Sequence, residues 1–163
     1  AKFIDSTNEA VAYLNDLCCE MEQRYSVMQK RNVKESKGLF KPIFCFIDEL
    51  ADLMLSSRYE VEESIVRLAQ KGRACGIHLI IATQRPTANV VSGLIKANMP
   101  CKIALKVSSV RDSVVILDHK NAEQLLGFGD AIIKLPYPTE ETRFQCAYVS
   151  DERIDEIIRI RNI

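Results

Sequence analysis

The chain has 163 residues, 47% hydrophobic and 27% charged, with 22 basic residues against 22 acidic ones. That length can bury one core, and the zero net charge excludes both a global basic field for nucleic acid and an acidic disordered tail. Any contact with DNA must run through a local patch or through assembly. No apolar run approaches the ~20 residues that span a bilayer, and none reads as a signal peptide. Cys18, Cys19, Cys45, Cys75, Cys101 and Cys146 contain no CxxC pair, so zinc spacing is absent. They read as small buried hydrophobes in a reducing compartment.

Residues 8–30 predict a helix, because Val11, Leu14, Leu17, Cys18, Met21, Tyr25 and Met28 recur at three-to-four spacing. Asn8 is the expected N-cap, and Glu20, Glu22, Arg24 and Lys30 fall on the opposite, solvent-facing side. The polar stretch that follows reads as a loop closed by Pro42. Residues 43–47 are a continuous apolar strand, the pattern of a central parallel strand buried on both faces. Residues 50–74 predict a helix in two pieces, broken near Ser56 to Glu60, with Gly76 as its stop. Residues 77–82 form a second apolar strand, and an amphipathic segment at 89–98 precedes Pro100. Residues 101–107 alternate enough to read as a third strand near an edge. Short helices are expected at 109–118 and 121–126, and strands at 131–135 and 143–149 around a hairpin-like connection. A closing helix has Asp151 near its N-cap. His78 reads as a structural histidine, His119 as exposed, and Gly127–Asp130 as a tight turn into a strand.

The alternation of helix and strand is the α/β signature, in which parallel strands are joined by crossovers and the last two strands add an antiparallel edge. Ligands in such sheets bind beyond the carboxyl ends of the strands. Asp48–Glu49 and Thr83-Gln84-Arg85 both follow strongly apolar strands, so two polar clusters are expected at one rim. An apolar strand ending in Asp-Glu is the Walker B pattern of P-loop ATPases. There the Asp holds Mg²⁺ through its water shell and the Glu polarises the attacking water. By itself the pattern also describes a strand that simply returns to water. The second strand strengthens it, since Gln84 can hydrogen-bond both a γ-phosphate and a water, and one crossover helix fits between the two.

The stretches IFCFIDELADLM, RLAQKGRACGIHLIIATQRP, GLIKANMPCKIALKVSS and LLGFGDAII resemble the motor domain of the FtsK/SpoIIIE DNA translocases, over most of the chain. The resemblance implies an α/β fold with a P-loop NTPase (RecA-like) core: a mostly parallel sheet with helices on both faces and an antiparallel edge, truncated at the N-terminus. It implies one partial motor domain over 1–163, with a helix at 8–30, the sheet region at 42–149 and a closing helix at 150–162. The expected activity is ATP hydrolysis driving double-stranded DNA through a hexameric ring, with ATP and Mg²⁺ as cofactors. The expected setting is cytoplasmic, in a parent that can attach to the inner membrane through an anchor outside this stretch.

Carried over by position, Asp48 matches the metal-holding Walker B residue and Glu49 the water-activating one. Gln84 matches the γ-phosphate sensor, and Thr83 beside it goes with the nucleotide. Arg73 matches a basic residue that resembles an arginine finger, with Arg67 a weaker competitor. Arg85, Lys96 and Arg111 are the candidate DNA contacts, though Arg111 is the sole basic residue in a stretch where the family often has several. The sequence contains no GxxxxGK[ST] phosphate loop. It is therefore expected to be the C-terminal part of a motor domain and weak or inactive alone. Two alternatives stand beside this reading: a related conjugation or secretion ATPase, and a non-catalytic assembly domain.

Overall fold

The computed structural model describes residues 2–137 and 140–161, the side chain of Arg161 excepted. They form two compact units, one ending at Pro100 and one beginning at Cys101.

The first unit opens with helix α1, Thr7–Lys30, whose N-cap is Ser6 rather than Asn8. Val11, Leu14, Leu17, Cys18, Met21 and Met28 of the predicted stripe are buried against Met54, Val61, Ile65 and Leu68 of α2, Leu50–Lys71. Helix α2 breaks where the sequence suggests, at Ser57, whose φ of −145° and ψ of 54° are not helical. One 3₁₀ turn, Gly72–Cys75, then ends at Gly76 in the left-handed region, φ +80°. Arg24 departs from expectation. It is 6% exposed and lies in the interface of α1 rather than on its wet face.

Strands β1, Ile43–Ile47, and β2, Ile77–Ile81, pair in parallel, with Ile43 opposite Ile77 and Ile47 opposite Ile81. Their carboxyl ends are thus level, joined by one crossover through α2 as a parallel pair requires. Strand β1 is not buried on both faces. Ile47 is buried and Ile43 and Cys45 pack on the core, but Phe44 is 57% and Phe46 73% exposed. The described helices of this unit cover one side of the pair only. On the open side the Phe44 ring stacks on His78, with centroids 5.1 Å apart. A short helix α3, Gly93–Asn98, closes the unit, capped by the Ser92 hydroxyl, which accepts from the Ile95 amide.

In the second unit, β3 (Lys102–Leu105), β4 (Asp130–Lys134) and β5 (Glu141–Gln145) form an antiparallel sheet in that order. The alternation in β3 therefore marks an antiparallel strand paired to β4, with no parallel partner among the described residues. Helix α4, Val110–Leu117, packs on β3. The helix expected at 121–126 is only a 3₁₀ turn, Ala122–Gln124, because Asn121 at φ +142° and the extended Leu125 bound it. The tip of the β4–β5 connection, Pro138–Thr139, and the end of the predicted closing helix, Asn162, lie outside the described residues. Helix α5, Asp151–Arg161, starts with the Ser150 hydroxyl accepting from the Arg153 amide at 3.3 Å. His119 is half-buried rather than exposed, with its Nε2 2.7 Å from a Glu141 oxygen. Of the cysteines, Cys18 and Cys75 are buried, whereas Cys19 and Cys101 are exposed. No helix among the described residues is long and apolar enough to cross a membrane.

Candidate functional site

Backbone bonds carry the pairing of β1 and β2 past the strand ends. The Ala82 amide donates to the Ile47 carbonyl at 2.8 Å, and the Leu50 amide donates to the Ala82 carbonyl at 2.9 Å. Residues 48–49 and 83–84 are thereby held side by side. Glu49 is in extended conformation as the N-cap of α2, and its Oε1 accepts from the Ala51 amide at 3.0 Å. Carboxylates are favoured at that position by the unpaired amides and the helix dipole. The same Oε1 accepts from the Thr83 hydroxyl, and Oε2 accepts from the Gln84 amide at 2.9 Å. Thr83 Oγ1 in turn accepts from the Arg85 amide at 3.1 Å.

Glu49 is thus a clamp between two loops as well as a helix cap. Burial pushes its carboxyl up, but the Thr83 hydroxyl, the Gln84 and Ala51 amides and the Arg85 charge outweigh it. The balance holds Glu49 below its ordinary value, so it is ionised at neutral pH. Beside it, the Asp48 carboxylate and the Gln84 carboxamide are exposed, and neither has a hydrogen bond or ion pair among the described residues. The rim therefore presents one engaged carboxylate, one free carboxylate, and one free group able both to donate and to accept.

The donor set fits Mg²⁺ better than a metal caged by protein. Mg²⁺ is usually held by one or two carboxylates together with waters and substrate phosphates. Asp48 supplies such a carboxylate, and no group of three or more His, Cys, Asp or Glu among the described residues is placed to hold an ion.

Asp48, Glu49, Thr83, Gln84 and Arg85 are brought together; Arg73 is not. It sits in the turn before β2, at the opposite end of that strand from Thr83. Five residues of strand separate the two ends, roughly 16 Å. Arg73 is exposed, and its guanidinium has no hydrogen bond or ion pair among the described residues. Arg67 is paired with Glu22 at 3.4 Å. Of the DNA candidates, Arg85 lies close enough to the rim for its charge to act on Glu49. Lys96 is half-buried on α3, and Arg111 is exposed in the first turn of α4 in the second unit. Sequence reasoning missed two parts of the arrangement: the hydroxyl of Thr83 as a donor to Glu49, and the burial of Arg24. The first has no signal in spacing, whereas Arg24 stands three residues after Met21 and four before Met28, in line with the apolar stripe.

A sequence model of the FtsK/SpoIIIE family matches residues 35–88, the span that holds both strands and the rim. DNA translocase FtsK of Corynebacterium efficiens is 41% identical over 98% of this chain and 19% of its own length. DNA translocase FtsK of Chlorobaculum tepidum is 44% identical over 94% of this chain and 20% of its own. The chain belongs to the FtsK/SpoIIIE family. It spans about a fifth of the length of these relatives.

Solved structures agree on the P-loop ATPase motor fold for this FtsK/SpoIIIE chain. The pCW3 conjugation coupling protein TcpA, in a monomer form with ATPγS, superposes with a TM-score of 0.83 at 27% identity, covering 97% of this chain and 50% of that one. The cytoplasmic domain of the type VII secretion ATPase EccC of Thermomonospora curvata superposes at 0.76 and 23% identity, covering 90% of this chain and 19% of that one, a likeness of fold alone.

Proposed function

We propose that this chain is part of an ATP-driven double-stranded DNA translocase motor, and that it contributes the metal-and-water half of the active site. The observation that supports this most is the Glu49 clamp. An ionised carboxylate is fixed at the level ends of two parallel strands, with a free carboxylate on one side and a free carboxamide on the other.

ATP with Mg²⁺ would supply the phosphoanhydride and the charge that neutralises its oxygens. Asp48 would hold the metal's water shell. Glu49, being less basic than an ordinary carboxylate, would orient and polarise the attacking water rather than strip its proton early. Gln84 would bond a γ-phosphate oxygen through its N–H and the water through its carbonyl. Arg73 lies at the wrong end of β2 to reach this rim, which supports a role on a neighbouring subunit, as a hexameric ring would allow. Without a GxxxxGK[ST] loop in its sequence, the chain alone should bind ATP weakly and turn it over little. DNA would be gripped through phosphates by Arg85, Lys96 and Arg111, which suits a neutral chain without sequence preference. The parent would work in the cytoplasm, attached to the inner membrane through residues outside this chain.

The test is the ATPase activity of the full-length parent with and without double-stranded DNA. Stimulation is expected, and turnover indifferent to DNA would sink the translocase reading. The likeness to TcpA favours a conjugation ATPase as the second reading. It predicts stimulation by a single-stranded or protein cargo instead. A parent that nowhere encodes GxxxxGK[ST] would leave only an assembly domain.

A further inference from the structure

The turn that carries Arg73 is held at every carbonyl. Lys71 O accepts from the Tyr25 hydroxyl at 2.9 Å, Gly72 O from the Cys75 thiol at 3.2 Å, and Arg73 O from the Gly76 amide at 3.2 Å. Ala74 O accepts from the Ser36 amide at 2.8 Å, Cys75 O from Arg24 Nη1 at 2.9 Å, and Gly76 O from the Ile43 amide at 2.9 Å. Six consecutive acceptors are satisfied, two of them by adjacent side chains of α1.

Arg24 is the residue on which this arrangement turns. Its side chain is 7% exposed, its Nε donates to Glu20 at 2.7 Å, and its guanidinium carbon lies 5.0 Å from the centre of the Phe40 ring. It therefore ties together α1, the loop before β1 and the 72–76 turn. A buried arginine is uncommon and persists where its donors are matched. Here the matched groups surround a turn whose one outward cation, Arg73, has no hydrogen bond or ion pair among the described residues.

We infer that Arg24 is a positioning residue for Arg73: it fixes the backbone from which Arg73 reaches the nucleotide of a neighbouring subunit. The inference rests on the reading of Arg73 as a residue that acts in trans. A group that stabilises a transition state must be held within a fraction of an ångström, and a displacement of about 1 Å can cost on the order of a hundredfold in rate. Anchoring Cys75 O removes the freedom of the turn to swing.

The test uses the full-length parent motor, with Arg24→Met, Arg73→Ala and Glu49→Gln prepared in parallel. Arg24→Met is expected to lower turnover on the order of a hundredfold, with the affinity for a non-hydrolysable ATP analogue unchanged within about twofold. Mixing decides the role. Rings built from Arg73→Ala and Glu49→Gln subunits contain interfaces with an intact finger facing an intact rim, so two inactive variants give an active mixture. Arg24→Met must be rescued by Glu49→Gln in the same way, and must not be rescued by Arg73→Ala. Rescue by Arg73→Ala, unchanged turnover, or failure with both partners overturns the inference. Should Arg24→Met not assemble, Arg24→Lys is read in the same mixtures, with the same outcomes deciding. If Arg73→Ala alone keeps full turnover, the trans reading of Arg73 fails, and that result is separate from any obtained with Arg24.

Discussion

The Thr83 hydroxyl donates to the Glu49 carboxylate across the ends of two parallel strands, from a residue 34 positions later in the chain. The bond makes the state of Glu49 depend on the second strand. Removing it by Thr83→Val deletes the foremost of the groups that lower the Glu49 carboxyl. The expected outcome is a rise of its pKa toward the ordinary glutamate value, because burial would then be opposed by fewer donors. Carboxyl ¹³C titration of the chain by NMR reads this directly. An unmoved Glu49 titration would mean that the hydroxyl does not hold it.

Glu49→Gln separates two roles of the same side chain. The amide keeps one acceptor oxygen and replaces the other with a donor that faces the donor of Gln84 or Thr83. Losing a hydrogen bond to a charged group should lower the stability of the chain by about 1–3 kcal/mol, read as a lower urea midpoint at constant slope. In the full-length parent the same substitution should leave nucleotide binding intact and abolish turnover. Unchanged hydrolysis would remove Glu49 from the catalytic role.

Acid should act on the second unit through one ion pair. The Arg143 guanidinium meets both oxygens of Asp130, at 2.8 and 2.6 Å, and the Leu126 amide adds a third donor. These hold the Asp130 carboxyl at about 2 against an ordinary 3.8. A group depressed on folding contributes stability that is full above its unfolded value and is lost as pH falls through its folded one. Denaturation midpoints measured between pH 5 and pH 2 should therefore fall most steeply between about 4 and 2. Arg143→Gln should flatten that fall, since it removes the foremost cause of the depression and leaves the Leu126 amide. A slope unaffected by the substitution would place the acid sensitivity elsewhere.

The rim was legible in the sequence because the extent and the ending of each strand are written in it. Five apolar residues marked out β1, and Asp48–Glu49 had to follow its end. Parallel pairing with a second such strand then put Thr83–Gln84 alongside. What could not be read is tertiary. Arg24 stands on the apolar stripe by spacing, three residues after Met21 and four before Met28, but its charge marked it as a surface residue, and the Cys75 carbonyl that satisfies it lies 51 residues away. Phe44 and Phe46 read as core because apolar side chains carry no mark of whether a cover is present. The direction of β3 was equally silent, since its alternation suits an edge of either kind until β4 is seen beside it. The short 3₁₀ turn at Ala122 hinged on one positive φ at Asn121, a conformation that composition only hints at.

Glycine substitutions test how tightly the Arg73 turn is built. A Cβ on Gly72 would stand 2.8 Å from the Ile77 carbonyl oxygen, a backbone atom that cannot swing away. Gly72→Ala should therefore push the turn off β2 and cost about 1–3 kcal/mol, the usual range for overpacking. Gly93, at the start of α3, has nothing within 4 Å of its would-be Cβ and no positive φ. There Gly→Ala should be neutral or stabilising by up to about 1 kcal/mol, through the smaller entropy of the unfolded chain. Thermal unfolding of the two variants beside the parent chain makes the comparison. The opposite ordering, with Gly93→Ala the more damaging, would mean that the approach of the turn to β2 is looser than 2.8 Å implies.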